Sequence, residues 1–207
     1  LSRFFNQGNH FFTIMGVAFD LAQLNVLTLL CCLPIVTAGA SLTAMHTVLW
    51  KMVHGEETRV CADFVASLRR NFRQATYGWL VFAGVAALLG VDALAAGGAA
   101  RPWRLAALAV IVAAACVVLL LAQYFFMLVS RYENPFLVHL RNAALLSFGF
   151  LPRSAAMLAI VLGCAALCVL GGFTGIPLVV LFGIALPQYC CAWVYRPIAE
   201  RLDRGVS

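Results

Sequence analysis

The residues from Leu105 to Val129 form an unbroken run without a single charged side chain, most of them Ala, Val or Leu. A bilayer hydrocarbon core of about 30 Å is crossed by a helix of about 20 residues. Inside it every backbone N–H and C=O must find a partner within the chain, so a run of this length admits a helix and little else. Similar charge-poor runs recur along the sequence. With 64% apolar and 11% charged residues and a mean hydropathy of +0.96, they exclude a water-soluble domain of ordinary composition.

These runs predict an all-α fold: a polytopic transmembrane helical bundle, one domain over residues 1–207, with about six spans at 11–33, 37–53, 75–96, 105–129, 154–173 and 176–195. Leu1 to His10 contains Asn6, Gln7, Asn9 and His10 and no small-residue cleavage site, so it does not read as a removable signal peptide. Six spans put twelve of the fourteen Lys and Arg residues on one side and leave Arg101 and Arg104 on the other. The positive-inside rule then assigns the richer side, with both termini, to the cytoplasm. If 37–53 only dips into the membrane, five spans divide the charges eleven to three with the first residue outside. The net charge of +6 is accounted for by these flanking clusters, and no basic stripe interleaved with aromatics points to nucleic acid.

Between the second and third spans, residues 60–74 predict an amphipathic helix. Measured from Phe64 at 100° per residue, Leu68, Cys61, Phe72 and Val65 fall at about 40°, 60°, 80° and 100°, and Arg69, Arg73 and Arg70 at about 140°, 180° and 240°. Such a helix can lie on the membrane with its arginines among anionic headgroups, pack against the protein's own cytoplasmic side, or receive a partner's helix. A second linker helix is expected at 135–148. Gln123-Tyr124, Val129 and Arg131 recur as Gln188-Tyr189, Val194 and Arg196, and Phe64, Leu68 and Arg69 as Phe136, Leu140 and Arg141. A helical hairpin with its linker, used repeatedly in parallel orientation, is the unit this suggests.

Ionisable groups inside a membrane are costly and mark function or tight internal bonding. Asp20 lies about 13 Å into the first span, with Gln23 on a neighbouring face, and Gln123 and Gln188 sit about 10 Å from the inner ends of theirs. The four are expected to share a polar intramembrane layer, either a pathway or a hydrogen-bonded clasp. Asn25 and Thr28 point elsewhere, toward a neighbouring helix. Thr37 is placed to cap the second span, and Gly39, Ala40, Thr43 and Ala44 have the spacing of close helix contact. No catalytic residue is assigned: Ser41 lacks the glycine frame of a nucleophile elbow, and neither a His-Glu-x-x-His motif nor a phosphate-binding loop occurs. No cofactor or metal is expected. The eight Cys show no disulfide framework, and Cys164 and Cys168 lack further ligands nearby.

The segments Asp20-Leu21, Leu24-Asn25, Leu33-Pro34-Ile35-Val36-Thr37-Ala38-Gly39-Ala40-Ser41, Ala44, Phe64, Asn71-Phe72 and Gln74-Ala75-Thr76 resemble the YesL-like family of bacterial membrane proteins, a domain of unknown function. The resemblance is densest over residues 16–80 and weaker beyond, where Asn134 and Arg141-Asn142-Ala143 also look similar. It implies an accessory component of a carbohydrate import system of the ATP-binding cassette (ABC) type, with membrane lipid and an ABC permease as partners. It supplies no ligand residues, and its motif positions Pro34, Thr37, Gly39 and Ser41 fall at a turn that a structural role explains. The alternative is a stand-alone transporter or channel for a small polar solute, routed past Asp20. The sequence leaves the oligomeric state open.

Overall fold

The computed structural model describes residues 10–98 and 100–206, and these are helical with no strand among them. The elements are α1 (His10–Cys32), a 3-10 turn (Ile35–Thr37), α2 (Ala38–Val53), α3 (Val60–Ala96), α4 (Arg101–Arg131), α5 (Phe136–Gly149), α6 (Leu151–Phe182) and α7 (Ala185–Val206). Among the described residues four helices are long and apolar enough to cross a membrane, and five if the bent pair Gly175–Phe182 and Ala185–Arg201 counts as one span. Arg3, counted above among the charges of the basic side, lies outside the described residues.

The count differs from six at α2. Its 16 residues span about 24 Å, short of the hydrocarbon core, and 11 of them are buried in protein. Small side chains allow this. A Cβ on Gly39 would collide with the backbone carbonyl of Ala75 and the Cβ of Trp79, so only glycine permits this approach of α2 to α3. The two helices run antiparallel: beyond Gly39, Thr47 meets Ser67 at 2.6 Å and Lys51 meets Asp63 at 2.8 Å. α1 folds back on α2 through the turn, with Ser41 donating to the Thr28 carbonyl at 3.0 Å. α1 therefore runs parallel to α3.

The linker expected at 60–74 is not a separate helix lying on a membrane surface. It is the first part of α3, a helix of 37 residues about 55 Å long, continuous with the third span. No Gly or Pro separates Val60 from Tyr77, so nothing in the backbone ends the helix there. Its apolar face is divided: Phe64 is fully buried and Leu68 lies against both core clusters, whereas Cys61, Val65 and Phe72 are exposed. Arg69, Arg70 and Arg73 remain on the outside. α5 is a discrete helix close to the expected second linker.

Gly172, at φ 49 and ψ −137, breaks α6. Its position matters because Cys191 lies 3.7 Å from the Met157 carbonyl and Tyr124 touches both Ser154 and Tyr195. A straight helix from Met157 to Phe182 would carry the chain about 37 Å away, too far for nine residues to bring it back. The chain therefore reverses near Gly172, where the sequence placed the boundary between its last two spans. Phe82 marks a second division. α3 and α4 contribute buried residues up to Phe82 and again from Gln123, and none of the described residues between them is buried. The end carrying Arg131 and Arg196 is called the basic end below.

Candidate functional site

α7 begins after a 48° bend between Phe182 and Ala185. A bend can strand the last carbonyls of one helix and the first N–H groups of the next, each costing about 1–3 kcal/mol when buried without a partner. Asn25, fully buried on α1, meets them from the side. Its Nδ2 donates to the carbonyls of Val179 (3.1 Å) and Val180 (2.7 Å). Its Oδ1 accepts the N–H groups of Ile184 and Ala185, both at 2.8 Å. The whole hydrogen-bonding capacity of the amide is used. Pro187 then occupies the first turn of α7, where its missing N–H costs nothing.

The expected polar layer separates into two places. Gln123 donates to Gln188 at 3.4 Å, joining α4 to α7. Gln23 instead donates to Cys61 Sγ at 3.1 Å, at the start of α3. Asp20, one turn earlier on α1, is thereby level with the charged loop before α3 and is partly exposed. The motif turn is bonded internally. The Thr37 hydroxyl donates to the carbonyls of Cys31 and Pro34, closing the end of α1, and makes no cap to α2. The eight cysteines are free thiols.

At the basic end the C-terminus of α2 gathers three other helices. The Arg131 guanidinium lies 3.6 Å above the Trp50 ring and pairs with Asp203 at 2.8 Å. The Tyr132 hydroxyl donates to the other oxygen of Asp203 at 2.7 Å. Arg196 pairs with Glu200 at 2.8 Å and donates to the Val53 carbonyl at 3.2 Å, satisfying a helix-end acceptor at the negative pole of α2. Lys51 pairs with Asp63, which also accepts the Arg59 N–H at 3.1 Å. Arg131 and Arg196, matched by the sequence repeat at its offset of 65 residues, close on the same helix end.

This network sets its own protonation. Burial pushes the Asp203 carboxyl up, but hydrogen bonds from Tyr132 and Arg131 and the arginine's charge outweigh it and leave the group below its ordinary value. Asp63 follows the same balance through Lys51 and the Arg59 N–H. Burial, reinforced by the bond to Asp203, raises the Tyr132 hydroxyl to about 12.

Two of the clefts beside this end are large. One, of about 440 Å³ between α4, α5 and α7, has an apolar floor of Leu128, Leu145 and Leu146 and a rim of Tyr132, Asn134, Asn142 and Asp203. The other, of about 650 Å³, lies between α3 and the start of α5 and includes Arg70, Arg73 and Phe136. Among the described residues no group of His, Cys, Asp and Glu is arranged to hold a metal ion.

Sequence reasoning undervalued Asn25 and missed the gathering at α2. The available signals were Gly183 followed by Pro187, which mark a helix break, and Trp50, an aromatic next to the lone Lys51. No curated protein and no solved structure matches the chain. Residues 21–93, which include Asn25, the motif turn, all of α2 and most of α3, match the family described as "Protein of unknown function, DUF624".

Proposed function

We propose that the protein is a non-catalytic accessory component of a bacterial inner membrane that docks to the permease of a carbohydrate ABC import system, with the basic end in the cytoplasm. The sugar importer is what the YesL-like resemblance implies. The observation that carries the docking role is the cleft between α4, α5 and α7, whose apolar floor and rim of Tyr132, Asn134, Asn142 and Asp203 have the anatomy of a protein contact surface. On this reading six helical segments enter the bilayer. α1 and α2 form a hairpin whose exposed tip, Leu33, Ile35 and Val36, penetrates from the cytoplasmic side and returns. That keeps the twelve-to-two charge division with fewer complete crossings. Crosslinking in native membranes, followed by mass spectrometry, tests the proposal. A permease should be recovered with wild-type protein and lost with Asn142→Trp, and recovery of no permease or substrate-binding protein above background overturns it.

The bend at α7 favours a second reading, a transporter for a small polar solute, because broken helices line solute sites in membrane transporters. Against it, the amide of Asn25 has no capacity left for a solute. Flux in liposomes that Asp20→Asn abolishes would establish transport, and flux no faster than in empty liposomes across a broad solute panel would reject it.

A further inference from the structure

We propose that the cleft between α3 and the start of α5 is a binding site for one anionic phospholipid, its phosphate held by Arg70 and Arg73 and one acyl chain laid along Tyr77 and Leu80. The inference does not rest on the docking role. Lys51, Arg131 and Arg196 each have a carboxylate partner within 4.0 Å, whereas Arg70 and Arg73 have none among the described residues. Both line the cleft. Two unneutralised guanidinium groups one turn apart present the donors that a phosphate diester accepts.

Their level on α3 selects a lipid. Arg73 is the last charged residue before the apolar run that continues to Asp92, so the pair stands where the headgroup layer meets hydrocarbon. Tyr77, exposed and one turn beyond Arg73, stands beside it as an interfacial aromatic does. Leu80, about 10 Å farther along the helix, extends the apolar wall in the direction an acyl chain takes. A soluble anion would have no use for that wall.

The cleft is also held in shape. The Gln74 amide donates to the Asn134 carbonyl at 2.8 Å, fixing α3 to the segment before α5. Tyr77 meets Phe136 edge to face at 4.8 Å. α5 begins at Phe136, so the positive pole of that helix adds to the arginines' field. On the same wall, the Thr76 hydroxyl oxygen is shielded from solvent and has no partner in the protein.

Native mass spectrometry of the full chain in detergent tests the site, with phosphatidylglycerol and phosphatidylcholine of identical acyl chains as probes. One phosphatidylglycerol should be retained with a preference of about tenfold or more over phosphatidylcholine. Arg70→Ala/Arg73→Ala should abolish the preference, Arg70→Lys/Arg73→Lys should keep part of it, and Arg101→Ala/Arg104→Ala should leave it intact. Leu80→Trp fills the apolar wall without altering charge and should expel the lipid, which keeps the test decisive if the double alanine variant fails to fold. Equal retention of the two lipids, or unchanged retention in Leu80→Trp, overturns the proposal. So does complete displacement by inorganic phosphate, which would make this a soluble-anion site.

Discussion

The two halves of the molecule are built on different principles. Toward the basic end, α2 fills the space between α1, α3, α4 and α7, and residues such as Leu24, Met45 and Phe64 are completely enclosed. Toward the far end, where α2 no longer reaches, the hairpin of α3 and α4 stands with Leu94 82% exposed and Trp103 75% exposed. Both halves are apolar, so the hydrophobic effect does not distinguish them once lipid is the solvent. What distinguishes them is glycine used for close approach and polar groups spent between helices, since Gly84 and Gly90 of the far hairpin have open space around them. Gly39 and Ala40 bring backbones together, and Asn25, Ser41, Thr47 and Lys51 each bond across a helix seam. Among the described residues of the far hairpin no side-chain hydrogen bond joins α3 to α4.

The sharpest way to break this contrast is to enlarge one glycine in each half. Gly39→Val should cost more than about 3 kcal/mol, because the added carbons meet the Ala75 backbone rather than a movable side chain. Little folded protein should survive purification in detergent. Gly84→Ala has open space around it and should be neutral or stabilise by up to about 1 kcal/mol through helix propensity. Equal melting temperatures for the two variants would refute the division.

Next in size is Asn25→Leu, which leaves the Val180 carbonyl and the Ile184 and Ala185 N–H groups at the α7 bend without partners, while the Val179 carbonyl keeps the Gly183 N–H at 2.9 Å. We expect a loss of about 2–4 kcal/mol, with hydrogen exchange rising at Ile184 and Ala185 and hardly changing in the far hairpin.

Acidification should loosen the basic end alone. Asp203 and Asp63 both sit below their ordinary values in the folded protein, so the stability they supply is complete above the unfolded carboxylate range. It is lost as pH falls through their depressed folded values. Trp50 fluorescence should follow that loss, since Arg131 stacks on its ring only while Asp203 holds it, and Asp203→Asn should flatten the profile. A profile unchanged by Asp203→Asn would remove Asp203 from the explanation. The smallest effect belongs to Leu94→Ala, expected within about 0.5 kcal/mol in detergent. A larger loss would show that the far hairpin is packed against something.

Much of this architecture is legible in the sequence, because lipid imposes a simple rule on composition. The Leu105 to Val129 run falls within α4, Pro34 falls in the turn after α1, and Gly172 breaks the chain where two spans were divided. Three features were not legible for identifiable reasons. The periodicity of Phe64, Leu68 and Phe72 is the same in a short surface helix and in the first turns of a long one, so α3 was divided. α2 has the composition of a span, and only its burial against α1, α3, α4 and α7 shows that protein rather than lipid surrounds it. The partners of Asn25 lie more than 150 residues away, beyond any local pattern. Of the four polar residues expected together, Gln123 and Gln188 meet because their helices run parallel at the repeat's own offset of 65 residues. Asp20 and Gln23 do not join them, because α1 is displaced along its axis toward the basic end.

The amide of Asn25 also sets an order of assembly. Its partners are separated from it by 154 to 160 residues, so at about 5–20 residues per second of synthesis the nascent chain carries that side chain for about 10–30 s before they exist. During that interval α1 has an unmatched amide and α2 lacks the helix that covers its end. The earliest-made part of the described chain therefore stays unfinished until one of the last arrives, and a chain stalled before Val179 would present an open seam to the quality-control proteases of the membrane.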